Sequence, residues 1–226
     1  MNFQSNPRDQ AGLTFEAIAE MMAHDLQSGL FAPGQWLKQI DLEARYGAKR
    51  IEVRRALDRL VQRRLVQHLP NRGYHVYALD DQRAADIRDV RAILETAAVD
   101  GIVERATRHD IKKAQRLAMQ FHELIDNGTL VELYDANLAF HRHLLELCPN
   151  KELVSIVNDL RSRLSSAPAS QWQKRSRIDQ SNLEHFEMVD ALAAGERQRL
   201  KAIISAHIRQ VPRPHSRLRR PVPGGD

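Results

Sequence analysis

The feature that most limits what this chain can fold into is the stretch from Arg45 to Arg64, where positive charge and helical spacing coincide. Arg45, Lys49, Arg50, Arg54, Arg55, Arg59, Arg63 and Arg64 are opposed there only by Glu52 and Asp58. The segment therefore carries 8 − 2 = +6, more than the +5 surplus of the whole 226-residue chain. Val53, Leu57, Leu60 and Val61 recur at three- and four-residue intervals, which places them on one helix face and leaves the basic residues on the others. A merely solvated charged helix interleaves acids at i+4. A cationic helix with few such acids has the footprint of a phosphate-binding element.

The flanking sequence supplies the rest of a compact unit. Phe15, Ile18, Ala19, Met22 and Leu26 keep helical spacing between Leu13 and Leu30, and Gly29 marks the end. Pro33-Gly34 is a turn, and Trp36-Leu37 a short apolar pair. A second helix is expected from about Gln39 to Tyr46, stopped by Gly47, and a third from about Arg50 to Arg64. Two extended pieces, Leu65–His68 and Tyr74–Tyr77, flank the turn Pro70-Asn71-Arg72-Gly73, a hairpin signal. Three helices plus a β-hairpin predict a winged helix-turn-helix over 13–78, behind a polar arm, 1–12, read as disordered.

From Asp80 onward no strand signal is convincing. Amphipathic helices are expected at 82–106, 109–126, 129–147, 150–166, in a segment ending near Ala194, and at 196–210; the fold class is mainly α, with an all-α helical bundle over 79–210. Ala167 to Ser176, with Pro168, reads as a loop or helix break. The tail, 211–226, carries Pro212, Pro214, Pro221 and Pro223 among Arg213, Arg217, Arg219 and Arg220 and reads as disordered. Nothing resembles a membrane span or export signal, so no membrane partner is expected. The single cysteine, Cys148, excludes an intrachain disulfide and fits a reducing cytoplasm.

Four motifs then agree in order and spacing: Leu30 to Leu37, Leu42-Glu43-Ala44-Arg45-Tyr46-Gly47, Val53 to Leu60, and Asn71-Arg72-Gly73-Tyr74-His75-Val76. Together they resemble the GntR family of bacterial transcription regulators, and residues 80 to 210 resemble its FadR-type branch, which carries an FCD ligand-binding domain. The resemblance implies a homodimer on a pseudo-palindromic double-stranded DNA operator, controlled by a small-molecule effector, commonly a carboxylate.

Arg50 and Arg54 lie one turn apart and project from one face, where arginine can pair bidentately with guanine in the major groove. Lys49, Arg55 and Arg59 are better placed for phosphates. Arg72 and Gly73 at the hairpin tip suit a wing at the minor groove, glycine allowing close backbone approach. The resemblance matches Arg50, Arg54 and Gly73 to positions that contact DNA. This chain also departs from the family, which commonly has Ser or Thr before the first recognition arginine and Thr-Pro after it. Here Lys49 cannot cap a helix, Ile51 can meet a thymine methyl, and Glu52 either accepts from cytosine or tempers the local charge.

In the second domain the spacing turns histidines inward from three helices. His141 shares a stripe with Leu130, Tyr134, Asn137, Leu144 or Leu145, and Cys148. His185 heads one with Met188, Val189 and Leu192, and His207 lies with Leu200, Ile203, Ile204 and Val211. His143 is expected to be exposed, and Glu184 to point to a different face from His185. Three inward histidines can converge on a divalent cation such as zinc, nickel or manganese. The resemblance adds a D-x-x-F-H pattern, met here by Asn137-Leu138-Ala139-Phe140-His141, with Asn137 in place of the aspartate and His185 and His207 as the later ligands. A metal-free, histidine-lined pocket is the alternative. Arg91 and Arg88 are candidates to clamp an effector carboxylate, or else, for Arg91, to pair with Glu95 at i+4. Two other functions are open at this point: a metal-dependent enzyme on the helical domain, and a non-specific nucleic-acid-binding architectural protein.

Overall fold

The computed structural model describes residues 13–164 and 175–211. The expected disordered arm, most of the expected break at 167–176 and all but the first residue of the tail lie outside them. Helix α1 (Phe15–Gln27) begins at Thr14, whose hydroxyl accepts from the Ala17 N–H, and α2 (Gln39–Tyr46) ends at Gly47 in a left-handed conformation, φ +60°. Helix α3 (Arg50–Gln62) starts at Lys49 without a side-chain cap. Strands β2 (Val66–Leu69) and β3 (Gly73–Val76) form the expected hairpin. The Trp36-Leu37 pair turns out to be a strand, β1, which pairs antiparallel with β3 and completes a sheet of order β1-β3-β2.

These elements share one core, in which Ile18, Leu26, Val53, Leu57, Leu60, Leu65 and Val76 are fully buried. At about 25 cal/mol per Å2 of apolar surface removed from water, each such side chain stabilises the unit by roughly 1.5–3 kcal/mol. The Tyr74 hydroxyl donates to Asp58 at 2.6 Å, tying the wing to the middle of α3.

Among the described residues six more helices follow: α4 (Asp81–Arg105), α5 (Arg108–Asn127), α6 (Leu130–Glu146), α7 (Lys151–Arg163), α8 (Arg175–Ala193) and α9 (Arg197–Arg209). Thr107 with Asp110 and Thr129 with Glu132 form reciprocal capping boxes that start α5 and α6. Asp80 and Asn150 cap α4 and α7. Helix α9 lies against α4 and α8, and α5 against α6 and α8. Gly101 lets α4 approach the α6–α7 turn, because a Cβ there would stand 2.6 Å from the Pro149 ring. A second core, including Val99, Ile102, Phe140, Val157, Met188 and Leu200, fills the bundle.

Two stripes are narrower at their ends than their spacing suggests, since Leu130 and Val211 are about half exposed at the helix ends. His143 and Glu184 differ more. His143 is buried and shares a 2.9 Å hydrogen bond with the Asp110 carbonyl, because α6 is flanked by α5 on that side. Glu184 is fully buried beside His185, because α8 packs against both α5 and α9.

Candidate functional site

The three inward histidines meet. His141 on α6, His185 on α8 and His207 on α9 turn their Nε2 atoms toward one point: His207 Nε2 lies 3.0 Å and His185 Nε2 3.3 Å from His141 Nε2. Burial drives the His141 and His185 imidazoles well below their ordinary pKa, with Arg161 and the neighbouring histidines adding to it. His207 is lowered by burial against the pull of Glu184. All three are therefore neutral near pH 7, the form that ligates metal.

Glu184 fixes the arrangement. Its carboxylate accepts from His207 Nδ1 at 2.7 Å, from Arg177 at 3.0 Å and from Gln180 at 2.8 Å. Burial would raise this carboxyl, but the His207 bond and Arg177 overcome it and hold it at about 2. With its proton on Nδ1, His207 presents a bare lone pair at Nε2. His141 Nε2 holds at most one proton in the neutral form and cannot satisfy both of its close neighbours. Nitrogens bound to one tetrahedral zinc lie about 3.3 Å apart, since Zn–N is 2.0–2.1 Å. The donor set thus fits a divalent cation, which His141, His185 and His207 would hold while Glu184 orients His207.

Beside the triad lies a cavity of about 120 Å3, lined by Gln27, Arg88, Arg91, Tyr134, Asn137, Arg161, Arg177, Ser181 and both His141 and His207 among others. Asn137 stands half-buried in that wall, one turn before His141. Four guanidiniums reach it against two carboxylates behind them, +4 − 2 = +2. Arg91 pairs with Glu95 at 2.9 Å, the i+4 partner expected as its alternative, and Arg161 takes the other Glu95 oxygen at 2.7 Å. Burial lowers Arg91 to about 10. It would raise Glu95, but Arg161 and Arg91 overcome that and hold it at about 2. Arg88 makes no ion pair among the described residues, and Arg177 Nη1 is buried without a hydrogen-bond partner. Sequence reasoning missed Arg161, Arg177 and Glu184. An arginine in a mixed polar helix gives no spacing signal, and each depends on which helices the fold brings alongside.

On the DNA-reading side, Lys49, Arg54 and Arg59 are exposed and carry no acidic partner among the described residues. Ile51 is 64% exposed. Arg50 donates to Glu43 at 2.8 Å. Arg55 stacks 4.0 Å above Phe15 with Glu52 at 3.7 Å. At the wing, Gly73 has φ +98° with open space around it, and Arg72 lies 5.8 Å over Trp36.

A winged helix-turn-helix joined to an all-helical domain is the architecture of a DNA-binding transcription regulator. The model of the bacterial regulatory proteins of the gntR family matches residues 14–76, and that of the FCD domain residues 86–210. The chain belongs to the GntR family, in its FCD-domain branch. It is similar to the Nta operon transcriptional regulator of Aminobacter aminovorans (28% identity, covering 80% of this chain and 84% of that one). It also resembles the HTH-type transcriptional repressor GlaR of Escherichia coli (25%, 83% and 89%). Among solved structures, E. coli McbR/YncC shares the fold with a TM-score of 0.77 at 20% identity, covering 87% of this chain and 93% of that one. These relatives are transcription regulators, and so is this chain, not an enzyme. No helix among the described residues is long and apolar enough to cross a membrane.

Proposed function

We propose that this protein is a cytoplasmic, homodimeric regulator whose grip on a pseudo-palindromic operator is controlled by a small anion bound in the helical domain. The observation that carries this reading is the juxtaposition of three neutral, converging histidines with an arginine-lined cavity. His141, His185 and His207, with Asn137 as a weaker neutral neighbour, would hold a divalent cation, which would supply Lewis acidity toward a carboxylate oxygen. Arg88 and the spare Nη1 of Arg177 are the free donors for the anion's far end, while Arg91 and Arg161 are occupied by Glu95. The cavity's surplus of +2, raised to +4 by a divalent ion, favours a compact ligand with two negative charges, and its size suits a short dicarboxylate better than a lipid or a long acyl chain. On the other domain, Arg50, Ile51 and Arg54 face the bases, Lys49 and Arg55 the phosphates, and Arg72 and Gly73 the minor groove.

Two measurements test this. Metal analysis of purified protein should find about one divalent ion per chain, and His185→Ala should lose it; equal content in both removes the triad as a site. Selection from a random-sequence DNA pool should yield a two-fold operator, and Arg54→Ala should weaken binding to it by about 1–3 kcal/mol, roughly five- to 150-fold. Unchanged affinity would displace α3 as the reading helix.

A further inference from the structure

Gln27 is the last residue of α1, in the DNA-reading domain, yet it lines the cavity beside the histidines of the other domain. Among the described residues lining that cavity, no other comes from the N-terminal domain. Its carboxamide bridges two helices of the bundle: Oε1 accepts from the Tyr134 hydroxyl at 3.3 Å, and Nε2 donates to the Ser162 carbonyl at 3.4 Å. Both bonds are long, against the usual 2.7–3.2 Å, and the amide keeps a second N–H and a second acceptor site in reserve. Tyr134 is itself part of the cavity wall, and Ser162 follows Arg161, which is another part.

Among the described residues, the other contacts of α1 at this point come from His24, whose ring also stands edge-on to Tyr134 at 6.0 Å. His24 meets Asp135 at 2.7 Å, but that pair is about half exposed, so solvent screens it. Toward its own domain α1 is held firmly. Leu26, one residue before Gln27, is fully buried with Ile18, Ala19 and Met22 in the core shared with Val53, Leu57 and Leu60 of α3. A shift at Gln27 therefore moves α1 together with the recognition helix, while the Gln27 contacts to the bundle exchange at small cost.

We infer that Gln27 is an effector-binding residue: its carboxamide donates to an anion in the cavity, so the ligand site is shared between the two domains and occupancy is transmitted through α1 to α3. This rests on the proposed reading of the cavity as an anion site. Arginines supply charge there from the bundle, and Gln27 supplies the neutral donor that belongs to the DNA-reading domain. By linkage, operator DNA then changes anion affinity by the same factor as the anion changes operator affinity.

The test uses the full chain saturated with Zn2+ and a probe panel of oxalate, malonate, succinate, glutarate and inorganic phosphate, measured by calorimetry. The tightest binder is then titrated with and without the selected operator. Gln27→Ala is expected to weaken that binder about tenfold, the loss of one hydrogen bond to a charged group. Gln27→Glu, which sets a carboxylate against the anion, is expected to weaken it further. The ratio of anion affinities with and without operator should differ from one in the wild type and fall toward one in Gln27→Ala. If Gln27→Ala binds the anion as the wild type does and alters only operator affinity, Gln27 is a docking peg and the inference fails, with the functional reading intact. A wild-type ratio of one overturns the transmission. If no probe binds the wild type, the reading of the cavity falls and this inference with it.

Discussion

At the scale of single residues, Glu184 does most to define the histidine site. A buried carboxylate that accepts from His207 Nδ1 fixes the tautomer, and with it the direction of the Nε2 lone pair. Glu184→Gln keeps the volume but lets the amide present either face, and it leaves Arg177 without a charge partner. Removal of such an orienting partner is expected to cost about 10–100-fold in metal affinity, measured by competition with a chromogenic chelator. Unchanged affinity would make Glu184 a structural partner of Arg177 alone. The three histidines were legible in the sequence because each sits on an apolar stripe whose period survives folding. Glu184 and His143 were not, because α8 and α6 are each buried on two sides. Among adjacent residues such as Glu184 and His185, period 3.6 assigns one inward position, while a doubly covered helix has two.

At the scale of elements, α3 is where the sequence reading and the fold converge and then part. Its bounds and inward face follow from Val53, Leu57 and Leu60, and the +6 of its segment marked it as a phosphate-binding element. That charge is tempered by acids the segment does not contain: Asp25 takes Arg45, Glu43 takes Arg50 and Glu20 takes Arg63, so 6 − 3 = +3. Sequence-local counting overstates the field because tertiary contacts import counter-charges. Strand β1 escaped notice for a different reason, since two residues cannot display a period. The missing cap at Lys49 was legible, as its side chain has no acceptor oxygen and makes no cap bond. Lys49→Ser is expected to stabilise the N-terminal domain by about 1 kcal/mol through a restored cap. The same substitution should weaken operator binding and reduce the salt slope by about one. Urea midpoints and a salt titration read the two effects separately, and a salt slope equal to that of the wild type would take Lys49 off the phosphate backbone.

At the scale of the whole molecule, two separate cores are joined by polar contacts around His24 and Gln27 and by a second cleft where Arg64 and Tyr77 face α4 and α7, with no apolar cluster shared between them among the described residues, so the domains should unfold in separate steps. Their pH responses should differ as well. In the helical domain His141 and His185 are pushed well below 6.5 by burial, so below pH 6.5 the unfolded chain takes up protons that the folded one refuses, and stability falls. Glu95 acts in the same direction further down. Its folded pKa, held at about 2 against 4.5 by Arg161 and Arg91 despite burial, makes its stabilisation complete above 4.5 and progressively lost as pH falls toward 2. The DNA-reading domain has its perturbed tyrosines, Tyr46 and Tyr74, raised by burial and by Asp25 and Asp58, and these act only on the alkaline side. Calorimetric scans of metal-free protein between pH 7.5 and 5 should therefore show one transition falling while the other holds. Zn2+ should raise the acid-sensitive transition and no other, since a cation on three histidines stabilises only the domain that folds them together. Leu57→Ala, which opens a cavity in the other core at a cost of 2–5 kcal/mol, identifies the remaining transition. If acid and Zn2+ moved both transitions together, the domains would be coupled far more tightly than these contacts between them allow.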